Sequence, residues 1–273
     1  MTLTEILNPF LIVQMVNKNR SLIYHLTKRQ IAARYRGSAL GYLWALSYPL
    51  MMLTVYTFVF GVVFKARWGA DLNNTPSFAV IMFCGMAVFN LFSETVNSSA
   101  PCIINNANFV KKVIFPLEIL PVVQLLATAL PGMIWFGLTL LGALAIGLEV
   151  SWTVVLFPLV LVPVLILSLG IGYFVASTTV YLRDVPHLTG IVTQILFFMT
   201  PIFYRVDMVP DHMRIVLLCN PLTPLVDQAR DLLLFGRLPN WQLSALLWLV
   251  SWCICHLGLV WFLKTKKGFA DVL

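Results

Sequence analysis

The chain has 273 residues, of which 60% are apolar and only 11% charged, against roughly 25% charged in an ordinary soluble domain. A chain this short has too little interior to hide so much apolar surface from water. Composition therefore excludes a soluble globular enzyme, a disordered regulator and a disulfide-stapled secreted module, and leaves a bilayer as the solvent. The formal charge of +7 would suit a nucleic-acid partner, but the placement of the cations gives it another meaning below.

In chain order, Met1–Val16 has no basic n-region, carries Glu5 and Pro9 and lacks a small-residue cleavage site, so no signal peptide is expected there. Lys18–Arg36 carries six cations interspersed with apolar residues. On a helical projection Leu22, Ile23, Leu26 and Ala33 fall within an arc of roughly 100°, which predicts an amphipathic helix lying in the headgroup layer. A spanning helix needs about 20 mostly apolar residues, and six stretches qualify: Leu40–Phe64, Ser77 to Val96, Leu117–Leu148, Thr153–Val175, Leu188–Tyr204 and Trp241–Leu263. The first contains Pro49, and the over-long third has Pro131-Gly132 in its middle.

Two connections are not plain loops. Ser98–Pro121 is too apolar to be solvated and too charged to span; Lys111 and Lys112 sit among Phe109, Val110, Val113, Ile114 and Phe115, and Pro116 stops any helix there. A short helix with an exposed apolar face, covered by a partner protein, fits it, as does a re-entrant loop buried by the spans. Arg205–Asn240 holds an apolar run to Leu218, the breaker Asn220-Pro221-Leu222-Thr223-Pro224, and apolar positions at helical spacing through Phe235. That pattern predicts two short helices joined by a proline turn and dipping back into the bilayer, with Pro221, Leu222 and Pro224 as a candidate gate or simply as part of an outer cap.

Six of the 18 Lys and Arg (Lys65, Arg67, Arg205, Arg214, Arg230 and Arg237) fall in segments outside the membrane if the N-terminus is cytoplasmic; the other twelve fall inside. That bias places both termini in the cytoplasm, and six spans require the two termini on one side. The basic charge is thus a topology mark. The expected architecture is an all-α polytopic membrane protein with six transmembrane helices. Residues 1–39 form a cytoplasmic N-terminus with the interfacial helix, 40–264 the spanning domain and 265–273 a cytoplasmic tail.

Chemistry within the spans is sparse. Five scattered cysteines (Cys84, Cys102, Cys219, Cys253, Cys255) show no metal-site spacing. Ser168 and His256 could seed an intramembrane protease, but Ser168 follows Leu165-Ile166-Leu167 where such a nucleophile sits in a Gly-x-Ser turn. Glu94 is a lone acid near the end of the second span, a thin basis for ion coupling. No Gly-x-x-x-x-Gly-Lys-Ser/Thr pattern occurs, so energy for active transport has to come from another subunit. The spans do offer aromatic stripes: Trp44, Tyr48, Met52 and Tyr56 on the first, and Gln194, Phe197, Phe198, Pro201 and Tyr204 on the fifth. Such rings suit the C–H faces of sugars, and equally suit packing between helices.

Leu40-Gly41-Tyr42-Leu43-Trp44-Ala45, Lys111–Pro121, Tyr181-Leu182-Arg183-Asp184-Val185, Thr200-Pro201-Ile202-Phe203-Tyr204 and Asn220-Pro221-Leu222 follow one another over nearly the whole chain. Together they resemble the permease subunit of type-2 ABC polysaccharide exporters, nearest the Wzm-like O-antigen and teichoic-acid permeases. The resemblance implies a homodimer with its channel along the shared interface and two soluble ATPase subunits below, which bind the ATP and magnesium; this chain binds no cofactor and is no enzyme. It also implies an undecaprenyl-diphosphate-linked polysaccharide as cargo. Trp44, Tyr48, Tyr56, Gln194, Phe197, Phe198 and Tyr204 would line its path, Arg34 and Arg36 would meet the diphosphate, and Phe109, Lys111, Lys112, Val113, Ile114 and Phe115 would couple to the ATPase. Export of capsule or teichoic acid, efflux of a lipid or drug by the same fold, and, in a different class, an intramembrane enzyme remain alternatives.

Overall fold

A computed structural model describes residues 11–64, 75–110 and 115–273. Every described element is helical, the form in which a chain satisfies its own backbone where no water can. A lead-in of α1 (Leu11–Lys18) and α2 (Arg20–Tyr35) precedes α3 (Trp44–Tyr56), which runs on as a π-helical stretch to Val63. Then come α4 (Thr75–Ser99), α5 (Ile119–Ala145), α6 (Pro158–Tyr181), α7 (Val185–Met199), α8 (Asp211–Cys219), α9 (Leu222–Arg230) and α10 (Trp241–Thr265).

Five stretches are long and apolar enough to cross a membrane: Gly41–Val63, Ser77–Ser99, Ile119–Ala145, Trp152–Tyr181 and Trp241–Val272. Pro49, Pro131 and Pro163 all sit inside helices without ending them, as neighbouring helices allow in a membrane. The fifth expected span differs. Its helix α7 has 15 residues, about 22 Å at 1.5 Å per residue, and it starts and stops earlier than the apolar run Leu188–Tyr204. Extended backbone at Thr200 ends it.

α4 is the axis of the bundle, packed on α5, α6 and α9, with Ile81, Met82, Cys84 and Phe83 sealed from solvent. A polar seam stitches its C-terminal half to its neighbours. The Thr95 and Thr128 hydroxyls lie 2.7 Å apart, the Asn97 amide donates to Thr193 at 3.1 Å, and the Gln30 amide of α2 donates to Gln124 of α5 at 3.3 Å. Each bond leaves a polar side chain satisfied where water is scarce.

α2 lies against α5 through a stripe of Ile23, Leu26, Thr27 and Gln30 at helical spacing. Ala33, expected on the apolar arc, is exposed instead. Residues 265–273 do not hang free. Phe269 is fully buried against Phe262 and Tyr181, the Tyr181 hydroxyl donates to the Thr265 carbonyl at 2.7 Å, and Lys266 pairs with Glu118. At the other end of α10, the Asn240 side chain accepts from the backbone N–H of Gln242 at 3.1 Å and of Leu243 at 3.2 Å. Asn240→Ala is expected to cost about 1 kcal/mol, seen as a small fall in the melting temperature of the detergent-purified protein.

Candidate translocation surface

α3 and α7 each carry an open apolar face. The first span is only 11% buried in its most apolar window, and Leu43, Trp44, Tyr48, Val55 and Phe58 stand exposed along it. On α7, Leu188, Ile191, Ile195 and Phe198 form one open face at positions i, i+3, i+7 and i+10. Gln194 is exposed beside them. Long apolar faces of this kind suit lipid or a second protein surface, and their aromatic rings add flat surfaces on which a ligand can stack.

The expected path residues divide into two groups. Trp44 and Tyr48 stand near the α2 end, where Tyr48 meets Trp135 edge-on at 6.1 Å. Tyr56 belongs to a second cluster toward the other end, with Phe203 at 5.5 Å and Phe197 at 6.4 Å, while Phe60 stacks on Phe203 at 4.4 Å. α7 does not present its five expected residues on one face. Phe197 turns inward onto Phe89 at 5.2 Å, Phe198 is 58% exposed, Pro201 is buried, and the half-buried Tyr204 donates its hydroxyl back to the Phe198 carbonyl at 2.9 Å.

The two expected diphosphate cations also differ. Arg34, in the last turn of α2, forms an ion pair with Glu94 of α4. Arg36 lies past the helix end, exposed and without an ion pair among the described residues. Of the expected coupling residues, Lys111, Lys112, Val113 and Ile114 lie outside the described residues. On either side of them Phe109 and Phe115 stack at 4.3 Å, and the Arg29 guanidinium sits 5.8 Å from the Phe109 ring centre. Phe109 and Phe115 thus cover one another in part, and Arg29 of α2 reaches Phe109.

The proline-turn hairpin is present as α8 and α9, with α9 continued by a π-helical turn through Phe235. The Asn220 side chain holds the turn, accepting from the Leu222 N–H at 3.0 Å and donating to the Thr200 hydroxyl at 3.0 Å. The expected gate residues sit differently in it. Leu222 is sealed in the core, while Pro221 and Pro224 are half-buried. α8, by contrast, exposes Met213, Ile215, Val216 and Leu218.

The residue that organises this end of the molecule is one that charge counting placed in an outer loop. Arg230, the last residue of α9, is 2% exposed. Its guanidinium donates to the carbonyls of Ile81 (3.2 Å), Pro201 (2.8 Å) and Ile202 (2.9 Å) and to the Asp227 carboxylate (3.2 Å). It enters beside Gly85, where a methyl group would lie 2.6 Å from its Nη2. Pro201 and Ile202 belong to the irregular backbone that ends α7, which tolerates membrane depth only where protein satisfies it. Arg230 supplies that satisfaction. The available signal was an arginine at helical spacing with the apolar Val226 and Leu233, in a segment whose other charges, Asp227 and Asp231, flank it.

The intramembrane-enzyme seeds come to little. Ser168 is fully buried and its hydroxyl donates to the Val164 carbonyl of its own helix at 2.7 Å. No group of three or more His, Cys, Asp or Glu that could hold a metal occurs among the described residues. Open aromatic faces on α3 and α7 fit a conduit. Residues 21–234 match the ABC-2 type transporter family. The chain belongs to that family. It is therefore a membrane component of a transporter, multi-pass, and not an enzyme in its own right. Among its relatives, this transporter subunit is 29% identical over 262 residues to the O-antigen export system permease protein RfbA of Myxococcus xanthus, covering 95% of this chain and 98% of that one. It is 26% identical over 254 residues to the RfbA permease of Klebsiella pneumoniae, covering 92% and 95%. It is 25% identical over 218 residues to the polysialic acid transport protein KpsM of Escherichia coli, covering 76% and 79%.

Proposed function

We propose that this chain is the channel subunit of an ATP-driven exporter that carries an undecaprenyl-diphosphate-linked polysaccharide, O-antigen foremost, across the inner membrane. The observation that carries the reading is the pair of uncovered aromatic faces on α3 and α7, in a chain whose near full-length relatives are named O-antigen export permeases. Two copies facing each other through α3 and α7 bury those faces and enclose a path lined by Trp44, Tyr48, Tyr56, Gln194, Phe198 and Tyr204. Phe197 supports the wall from behind. In this reading α7 is the sixth crossing, shortened because the polypeptide around Thr200–Tyr204 and the re-entrant hairpin fill the remaining depth. Both termini are cytoplasmic, α2 rests at the cytoplasmic headgroups, and exposed Arg36 meets the diphosphate more readily than paired Arg34. ATP and magnesium are held by two soluble partner subunits seated against Asn108–Phe115. A capsule-type polymer is the second reading, favoured by the likeness to a polysialic acid transport protein.

The test is purification of the tagged chain from its native membrane, with ATP hydrolysis assayed in what copurifies. A stoichiometric ATPase is expected, lost when Lys111 and Lys112 become glutamate and Phe115 becomes alanine. A preparation free of ATPase under gentle solubilisation would overturn the exporter reading.

A further inference from the structure

Four elements of one chain, α2 to α5, border an open cavity of about 380 Å³. Its wall alternates rings with hydrogen-bonding groups: Arg34 from α2, Trp44 and Tyr48 from α3, Asn90 and Glu94 from α4, and Trp135 from α5. Trp135 is only 7% exposed, and its ring is held in place by stacking on Phe83 at 4.9 Å. A buried indole normally finds an acceptor for its N–H. Among the described residues, however, the indoles of Trp44 and Trp135, the Tyr48 hydroxyl and the Asn90 carboxamide make no side-chain hydrogen bond to protein. The wall thus presents four hydrogen-bonding groups, of which the Trp135 indole is buried while Trp44 and Tyr48 also stand open to the outside.

Charge narrows what that partner can be. Glu94 neutralises Arg34, so the wall presents dipoles and a compensated ion pair rather than a cationic cradle. A phosphate would have to break the pair to be bound, and an acyl chain would leave every polar group unmatched at a cost. A sugar ring suits both halves of the wall. Its C–H faces lie on indole and phenol rings, while its hydroxyls take donors from Trp and Asn and give to the Glu94 carboxylate. We propose that the cavity is a saccharide subsite within each protomer, seating one neutral sugar unit of the cargo next to the α3 face. The inference rests on the polysaccharide reading above and deepens it: Asn90, Glu94 and Trp135 lie on neither aromatic stripe.

Ala45 borders the cavity without a polar side chain and serves as a reporter. The full transporter carrying Ala45→Cys, with exposed Cys219 and Cys253 changed to serine, is labelled with a small maleimide in native membranes. The membranes come from cells that make the polymer and from cells that do not. Labelling is expected to be several-fold slower with polymer present, and this protection should vanish in Asn90→Ala. Trp135→Phe, which keeps the ring and removes only the N–H, should weaken protection while leaving the amount of protein in the membrane unchanged. Equal labelling with and without polymer, in a transporter that still exports, overturns the subsite and leaves the export reading intact. Export that continues after deletion of the chain overturns the export reading itself. Protection by inorganic phosphate in polymer-free membranes would make the cavity an anion site and overturn the sugar assignment.

Discussion

Arg230→Met is expected to cost about 3–5 kcal/mol, the range for removing one partner of a buried charged network. The methionine nearly matches the arginine in volume, so the loss is not one of packing. What is lost is a planar fork that reaches Ile81 on α4 and Pro201 and Ile202 after α7 in a single grip. Arg230→Lys keeps the charge but has a point-like ammonium, which cannot bridge carbonyls on two sides, and it should recover less than half of the stability. Gly85→Ala should approach the methionine variant, because its methyl group would take the place of Nη2. Asp227→Asn should cost less than Arg230→Met, because its amide oxygen can still accept from the guanidinium and the carbonyls of Ile81, Pro201 and Ile202 still hold it. Melting temperature in detergent and steady-state level in the membrane rank the four variants. Wild-type behaviour of Arg230→Met would show that the irregular backbone after α7 needs no donor from α9.

The same residue marks where the sequence stopped being readable. Length and hydropathy delimit five spans because each is a local property, and a run of about 20 apolar residues has one inexpensive home. The hairpin was legible for a similar reason, since Asn220-Pro221 followed by Thr223-Pro224 forbids a continuous helix. α7 misled because hydropathy continues through Pro201, Ile202 and Phe203, while the helix ends at Thr200 and the backbone after it is held by a side chain 28 and 29 positions away from the carbonyls it meets. Arg34 and Glu94 show the same limit. Each was singled out alone, one as a cation for phosphate and the other as a stray acid, and only the packing of α2 across α4 makes them a pair. The expected face on α7 failed on angle: Phe197 and Phe198 are 100° apart on a helix, so when one meets the core the other looks away. Phe269 was invisible for want of length, because a short terminal turn carries no periodicity, yet its ring is sealed between two helices.

Gly258→Ala and Gly170→Ala are expected to be strongly damaging single-methyl additions, because main chain faces main chain at both. α6 and α10 form the most extensive helix pair among the described residues, and they touch backbone to backbone. A methyl group at Gly170 would lie 2.5 Å from the Cys255 Cα and 2.6 Å from its nitrogen, and one at Gly258 would meet the Gly170 carbonyl oxygen. Side chains can rotate out of the way of an added group, but main chain on both sides cannot, so the two helices have to part. Adding one group to a packed interior costs about 1–3 kcal/mol when neighbours can shift, and here the expectation lies at the top of that range. Between helices in a bilayer, close approach is also the principal source of attraction, since lipid tails are as apolar as the side chains they replace. Separation therefore forfeits dispersion along the whole crossing, including Trp248, whose indole donates to the Leu159 carbonyl at 2.9 Å. Gly137→Ala is the control. It lies on α5 with nothing within 4 Å of the new methyl, and it should gain up to about 1 kcal/mol from helix propensity. Opposite shifts in melting temperature for Gly258→Ala and Gly137→Ala would establish the crossing as a point of backbone contact. Equal shifts would mean that α6 and α10 are held by their side chains alone.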